Sequence, residues 1–267
     1  HSMELLYKGV PIYFTDSGKG RALIFIHGFP MSGEVWSDFI AGAGDTYRKI
    51  VIDLPGFGNS GNLGYVHSMV EMAQAVKAVC DHLKLRRYIL VGHSMGGYVA
   101  AAFAKLYPEP VKGLVFFHSS PSADSLQKKA DRTRAMEAIR QNRKAFVVAL
   151  IDKLFAEANR IRLKKKIAWV KKISAGASLH GILAATEGMR DRDELTPFMR
   201  NSGIPQLYVI GKQDIVFSWE QLRDLAGEIS TASMILIENC GHMGFIEAPE
   251  TCMAALKKFW AKAFSEK

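Results

Sequence analysis

The chain is poor in cysteine: Cys80, Cys240 and Cys252 are the only three in 267 residues, odd in number and scattered. That excludes a disulfide framework, and no pair has the spacing of a structural zinc site. Cys240 stands two residues before His242, yet a lone cysteine in such a place reads as a small buried filler. Long apolar runs are lacking too. None exceeds the seven residues 145–151, too few to cross a bilayer, and the first residues carry no apolar signal segment. A reducing, cytoplasmic setting without a membrane span is the expectation. The basic residues lack the interleaved aromatics of a nucleic-acid surface, so no nucleic-acid partner is expected. No internal repeat or low-complexity tract appears, and a 48% hydrophobic content excludes disordered and fibrous classes.

What is present is an alternation of short apolar runs and helical patterns, long enough for one α/β domain with an insertion. Residues 4–8 and 11–16 alternate around Gly9, which suits an antiparallel hairpin at a sheet edge. Residues 22–27, 50–53, 88–91, 111–118, 205–211 and 233–237 read as strands. Residues 69–83, 219–228 and 249–264 read as helices. Residues 121–198 break this rhythm. Phe146, Leu150 and Leu154 with Val147, Ile151 and Phe155 recur at helical spacing, as do Leu163, Ile167 and Val170, so the segment is expected to be helical throughout. It also holds most of the net charge of +9, with 17 Lys and Arg against 9 Asp and Glu, leaving 18 against 17 elsewhere. The lysines at 164–172 read as the solvated side of a helix rather than as an anion-attracting surface. The pattern leaves open whether Phe146, Phe155 and Trp169 line a pocket or seal this segment onto the core.

One stretch carries chemistry directly. Val91-Gly92-His93-Ser94-Met95-Gly96-Gly97 places a serine between glycines where an apolar strand gives way to an alanine-rich helix. A turn that sharp leaves no room for side chains at the flanking glycines and exposes the serine Oγ; it reads as a nucleophile elbow. The Met95 N–H, at the positive end of the following helix, can face a developing oxyanion. The loop His27-Gly28-Phe29-Pro30, also after a strand, can supply the Phe29 N–H as a second donor. Asp214 and His242 each follow another strand. Residues at the carboxyl ends of parallel strands gather along one edge, so Ser94, Asp214 and His242 are expected to meet there as nucleophile, acid and base. Asp53 precedes a Pro-Gly turn and reads as a loop brace. His27 and His93 also read as structural, while His118 and His180 are left open to substrate contact. An aspartate directly after the sixth strand would rival Asp214, but that strand ends in His118-Ser119-Ser120.

The pieces HGFP at 27–30, DLPGFGNS at 53–60, GHSMGG at 92–97, GKQD at 211–214, and CGHM at 240–243 with EAPE at 247–250 resemble those of the α/β-hydrolase fold family over nearly the full chain. The resemblance implies a mostly parallel eight-stranded sheet flanked by helices. It divides the chain into a hydrolase core, 1–120 and 199–267, and an inserted helical cap, 121–198. It further implies a serine hydrolase cleaving small-molecule carboxylic esters through an acyl-enzyme, without cofactor or metal. Family members that attack with aspartate, the haloalkane dehalogenases and epoxide hydrolases, are set aside by Ser94. A carbon–carbon bond hydrolase or a lactonase with the same triad stays open, as does a ligand receptor built on a hydrolase fold. Oligomeric state is not legible.

Overall fold

The computed structural model describes residues 2–266. Its strands are β1 (Ser2–Tyr7), β2 (Val10–Ser17), β3 (Arg21–Ile26), β4 (Tyr47–Ile52), β5 (Tyr88–His93), β6 (Val111–Phe117), β7 (Gln206–Gly211) and β8 (Ala232–Ile237). They form one sheet in the order β1-β2-β4-β3-β5-β6-β7-β8. The pairings β1–β2 and β2–β4 are antiparallel and the other five parallel. The Lys8-Gly9 turn between β1 and β2 has positive φ at both residues, as a two-residue hairpin requires. Central strands are apolar on both faces because helices cover both: every residue of β5 and β7 is buried. The edge strand β1 alternates exposed and half-buried residues instead.

The helices follow in chain order. A short 3-10 turn (Gly33–Trp36) runs into α1 (Ser37–Ala41), neither of which the apolar spacing had marked. α2 (Met69–His82) starts on Ser68, whose side chain accepts the Glu71 N–H, and it buries Met69, Met72, Val76, Val79 and Cys80. α3 (Met95–Leu106) follows the elbow and is almost wholly buried. Between β6 and β7 come five α-helices, one 3-10 turn (Glu157–Asn159) and no strand among the described residues: α4 (Leu126–Gln141), α5 (Arg143–Leu154), α6 (Lys164–Ala175), α7 (Leu179–Arg190) and α8 (Thr196–Asn201). Val147, Ile151 and Leu154 of α5 are buried, as are Ile167 and Val170 of α6. The chain ends through α9 (Trp219–Gly227), α10 (Gly244–Glu247) and α11 (Pro249–Ser265). α11 lays Cys252, Leu256, Phe259, Trp260 and Ala263 on the sheet at helical spacing. No described helix is long and apolar enough to cross a membrane.

The core sits under β3, β5 and β6, where Trp36 and Trp260 flank Phe25 at ring separations of 5.3 and 6.2 Å. Truncating one such ring to alanine costs about 3–5 kcal/mol. This packing fixes the sheet, and the sheet fixes which loops share its carboxyl edge.

Candidate active site

The elbow has the backbone its glycines imply. Ser94 sits at φ 52°, ψ −115°, a conformation that side chains other than glycine rarely adopt. A Cβ at Gly92 would strike the backbone of Gly96, and one at Gly96 the carbonyl of Ile26. Ser94 N–H donates to Phe117 O at 3.0 Å, and Ser119 Oγ donates to Ser94 O at 2.6 Å, so the strained residue is braced from β6. Met95 is the first residue of α3, where an α-helix leaves its N–H groups without intrahelical acceptors. Phe29 is half-buried in the loop after β3, its ring edge-on to Phe57 at 6.3 Å.

Asp214 and His242 come together across 28 residues. His242 Nδ1 lies 2.9 Å from Asp214 Oδ2 and 3.1 Å from Oδ1, with both side chains at most 2% exposed. A ring whose Nδ1 faces a carboxylate carries its proton there and keeps the lone pair on Nε2. Asp214 Oδ1 also accepts the Val216 N–H at 2.8 Å and that of Phe217 at 3.4 Å, which fixes the carboxylate at the head of its own turn. Phe217 in turn stacks on the His242 ring at 6.1 Å. His93, the residue before Ser94, reaches the same place: its Nε2–H donates to His242 O at 2.8 Å, and the two rings are 5.0 Å apart.

The loop that carries His242 hangs on a residue that motif reading left without a role. Glu247 accepts the N–H groups of Gly241 (3.0 Å), Met243 (3.0 Å) and Ala156 (2.7 Å), and the Asn159 amide at 3.1 Å. One buried carboxylate therefore ties the histidine loop to the segment after α5. His242 N–H adds to the tie by donating to Leu154 O at 2.8 Å. No pattern of residue types marks that role, because most of the groups Glu247 accepts from are backbone N–H.

The other polar candidates fall into structural places. Asp53 Oδ1 accepts the Gly33 N–H at 2.7 Å and Oδ2 that of Asn59 at 2.9 Å, bracing two loops. His27 accepts the Leu54 N–H at 3.0 Å; burial holds its pKa below the usual value, against the pull of Asp53. Burial, with His242 the next cause, pushes His93 and His118 well below the ordinary histidine value, so both are neutral. His180 is exposed at the start of α7 and contacts Gly64 O, away from the His242–Asp214 pair. Cys240 is buried and burial raises its thiol pKa, with Glu247 adding to the effect, so it stays protonated filler. Phe155 is fully buried and Phe146 half-buried against the core. Trp169 of α6 instead lines two clefts. One, of about 650 Å³, faces Ser32, Gly33 and Asn59; the other, of about 360 Å³, faces Val35, Phe39 and Phe245.

A serine on a strand-to-helix elbow, with a buried histidine–carboxylate pair at the same edge of a mostly parallel sheet, defines an α/β enzyme of the hydrolase class. The family profile described as alpha/beta hydrolase fold matches residues 21–249. The chain belongs to that family, as an esterase-like member. A pimeloyl-[acyl-carrier protein] methyl ester esterase of Aeromonas hydrophila is 28% identical over 254 residues, 91% of this chain and 96% of that protein. A 2-hydroxy-6-oxononadienedioate/2-hydroxy-6-oxononatrienedioate hydrolase of Paraburkholderia phymatum is 38% identical, but over 39% of this chain and 38% of its own. Among solved structures, a thermophilic esterase from Thermogutta terrifontis superposes with a TM-score of 0.92 at 29% identity, covering 98% of this chain and 99% of that one.

Proposed function

We propose that the chain is a serine hydrolase cleaving carboxylic esters of small to medium acyl groups through an acyl-enzyme, without cofactor or metal. Ser94 Oγ attacks the ester carbonyl while His242 Nε2 takes its proton and later returns it to the leaving alcohol. Asp214 holds the His242 Nδ1–H and stabilises the imidazolium. The N–H groups of Phe29 and Met95 receive the oxyanion, and water attacking through the same histidine releases the acid. Residues 121–198 act as a cap over a core made of 1–120 and 199–267.

The observation that carries this reading is the buried His242–Asp214 pair at 2.9 Å, on the same sheet edge as the strained Ser94. The methyl ester esterase named above supports ester chemistry. The partial match to a hydrolase of 2-hydroxy-6-oxo dienedioates keeps a second reading, carbon–carbon cleavage of diketone-like substrates by the same residues.

The test is hydrolysis of p-nitrophenyl esters of increasing acyl length by the intact protein and by Ser94→Ala. We expect turnover by the intact protein, ranked by chain length, and a loss of about 10⁴-fold or more in the variant. Equal, negligible rates in both would sink the ester reading, and cleavage of a vinylogous diketone acid by the intact protein alone would install the second.

A further inference from the structure

His118 is fully buried at the end of β6, and neither the elbow nor the His242–Asp214 pair requires a histidine there. Its ring is fixed from one side: Nε2 accepts the Gly244 N–H at 2.9 Å. A ring nitrogen that accepts carries no proton, so the neutral ring bears its proton on Nδ1. That Nδ1–H has no hydrogen-bond partner among the described residues and lies 4.0 Å from Asp214 Oδ2. The two oxygens of Asp214 are unequally served. Oδ1 accepts from Val216, Phe217 and His242, whereas Oδ2 accepts from His242 Nδ1 alone. An idle donor and an oxygen with room for one more bond thus face each other, about 1 Å beyond bonding length. The backbone holds them in place: His118 N–H donates to Val209 O at 3.0 Å with the residue at φ 50°.

We propose that His118 is a positioning residue for the triad acid: its Nδ1–H aims a neutral dipole at Asp214 Oδ2 and thereby sets how strongly that oxygen holds His242. This rests on the reading of Asp214 as the acid. A neutral donor suits the place because a cation there would compete with the imidazolium that forms on His242. The cluster it belongs to comprises Asp214 after β7, His242 after β8, His93 on β5 and Lys128 on α4, whose charge interacts with Asp214. His93 cannot substitute for it. Its Nε2–H is committed to His242 O, and its bare Nδ1 donates nothing.

Two variants separate the two ends of the ring. His118→Gln keeps an acceptor for Gly244 and deletes the donor facing Asp214. His118→Asn keeps a donor at the Nδ1 position and suits the positive φ. The full chain with ¹⁵N-labelled histidine is read first by two-bond ¹H–¹⁵N couplings, which give each tautomer without needing turnover. His118 is expected as the neutral Nδ1–H form; an Nε2–H form overturns the proposal whether or not any variant folds. In His118→Gln the Oδ2 oxygen becomes a stronger acceptor. The downfield proton of His242 Nδ1–H then moves further downfield and the acid limb of kcat/KM moves to higher pH, with KM unchanged. His118→Asn is expected to restore both. Superimposable spectra and profiles for His118→Gln and the parent, or identical behaviour of the two variants, would reject the role. If the parent shows no Ser94-dependent turnover while the His242 resonance still moves, the ester reading fails and the positioning role stands.

Discussion

The carboxyl edge of the sheet and the helices between β6 and β7 are fastened by different means. At the edge, the bonds run to backbone atoms and are buried. Asp53 and Glu247 each gather N–H groups from separate loops, His118 takes one more, and His93 gives one to His242 O. Across the helical segment the ties are largely between charged side chains. Asp124 binds Arg132 and Arg192, Lys171 meets Asp152 at 2.8 Å, and Lys166 reaches over to Asp38 on α1. A backbone bond in a buried site fixes an atom's position; an exposed ion pair is worth about 0–1 kcal/mol and weakens with salt. The edge therefore specifies geometry, and the helical segment specifies mainly that it stays attached. Asp124 is the exception that tests this division, being fully buried with two arginines around it.

The largest expected effect lies at the edge. Asp214→Asn removes the charge that holds the His242 proton on Nδ1, so kcat should fall by about 10⁴-fold while the melting temperature moves little. Stopped assays on the ester series, beside calorimetry, check both halves; an active Asp214→Asn would end the assignment of this acid. Next comes Asp124→Asn in the helical segment. It leaves Arg192 buried against Tyr98, 3.7 Å from the ring, without its carboxylate, and should destabilise the fold by about 3–5 kcal/mol. Activity per folded molecule should stay within about threefold. Urea melts followed by activity at low denaturant measure this, and a large kcat loss without destabilisation would place Asp124 among the working groups.

How much of each region was legible follows from the same contrast. The elbow was readable because sterics force glycine at fixed offsets, and Asp214 and His242 because strand ends converge. Asp53 and His27 could be assigned as braces for the loops they precede. The helices of 121–198 were visible from the spacing of Val147, Ile151, Ile167 and Val170, but not what they face: the same spacing serves Phe155, which is sealed in, and Trp169, which lines two clefts. The role of Glu247 escaped because most of its partners are backbone N–H groups, which leave no pattern of residue types. So did the turn Gly33–Trp36, whose burial depends on Val51 and Asp53 from elsewhere in the chain.

An acid titration sharpens the comparison at intermediate size. His27, His93 and His118 have folded pKa values below the unfolded value of 6.5, as does His67, at about 4, with burial the main cause in each. The unfolded chain thus binds more protons in the window between the folded values and 6.5, so stability is full above 6.5 and falls as pH drops through that window. Each histidine contributes at most about 1.4 kcal/mol per pH unit. Asp124 behaves oppositely. Burial works against its charge, but Arg132 and Arg192 outweigh burial and hold its pKa below the ordinary 3.8, so its contribution is lost only below that. Melting temperature should therefore decline from about pH 6.5 downward, with Asp124→Asn parallel to the parent until pH 4. A flat curve between 6.5 and 4 would contradict the buried neutral histidines.

The smallest effect is expected at the lysines of α6. Lys164 and Lys165 are exposed, and Lys172 is exposed at the rim of the 650 Å³ cleft. Exposed charges with long stems interact with solvent more than with the fold, so Lys164→Gln with Lys165→Gln should leave stability within about 0.5 kcal/mol and kcat/KM on a neutral ester within about twofold. Lys172→Gln is the sharper probe because that side chain borders a cleft which Trp169 shares. If the basic segment served to draw in anionic substrates, kcat/KM for a half-ester of a dicarboxylic acid would fall in Lys172→Gln and lose its salt dependence, while the neutral ester stayed unchanged. We expect the two esters to respond alike, because Lys172 is exposed to water, where its charge is screened. A selective loss on the anionic ester would show that the segment does more than stay attached, and would redraw the boundary between the two regions at the cleft rather than at the sheet edge.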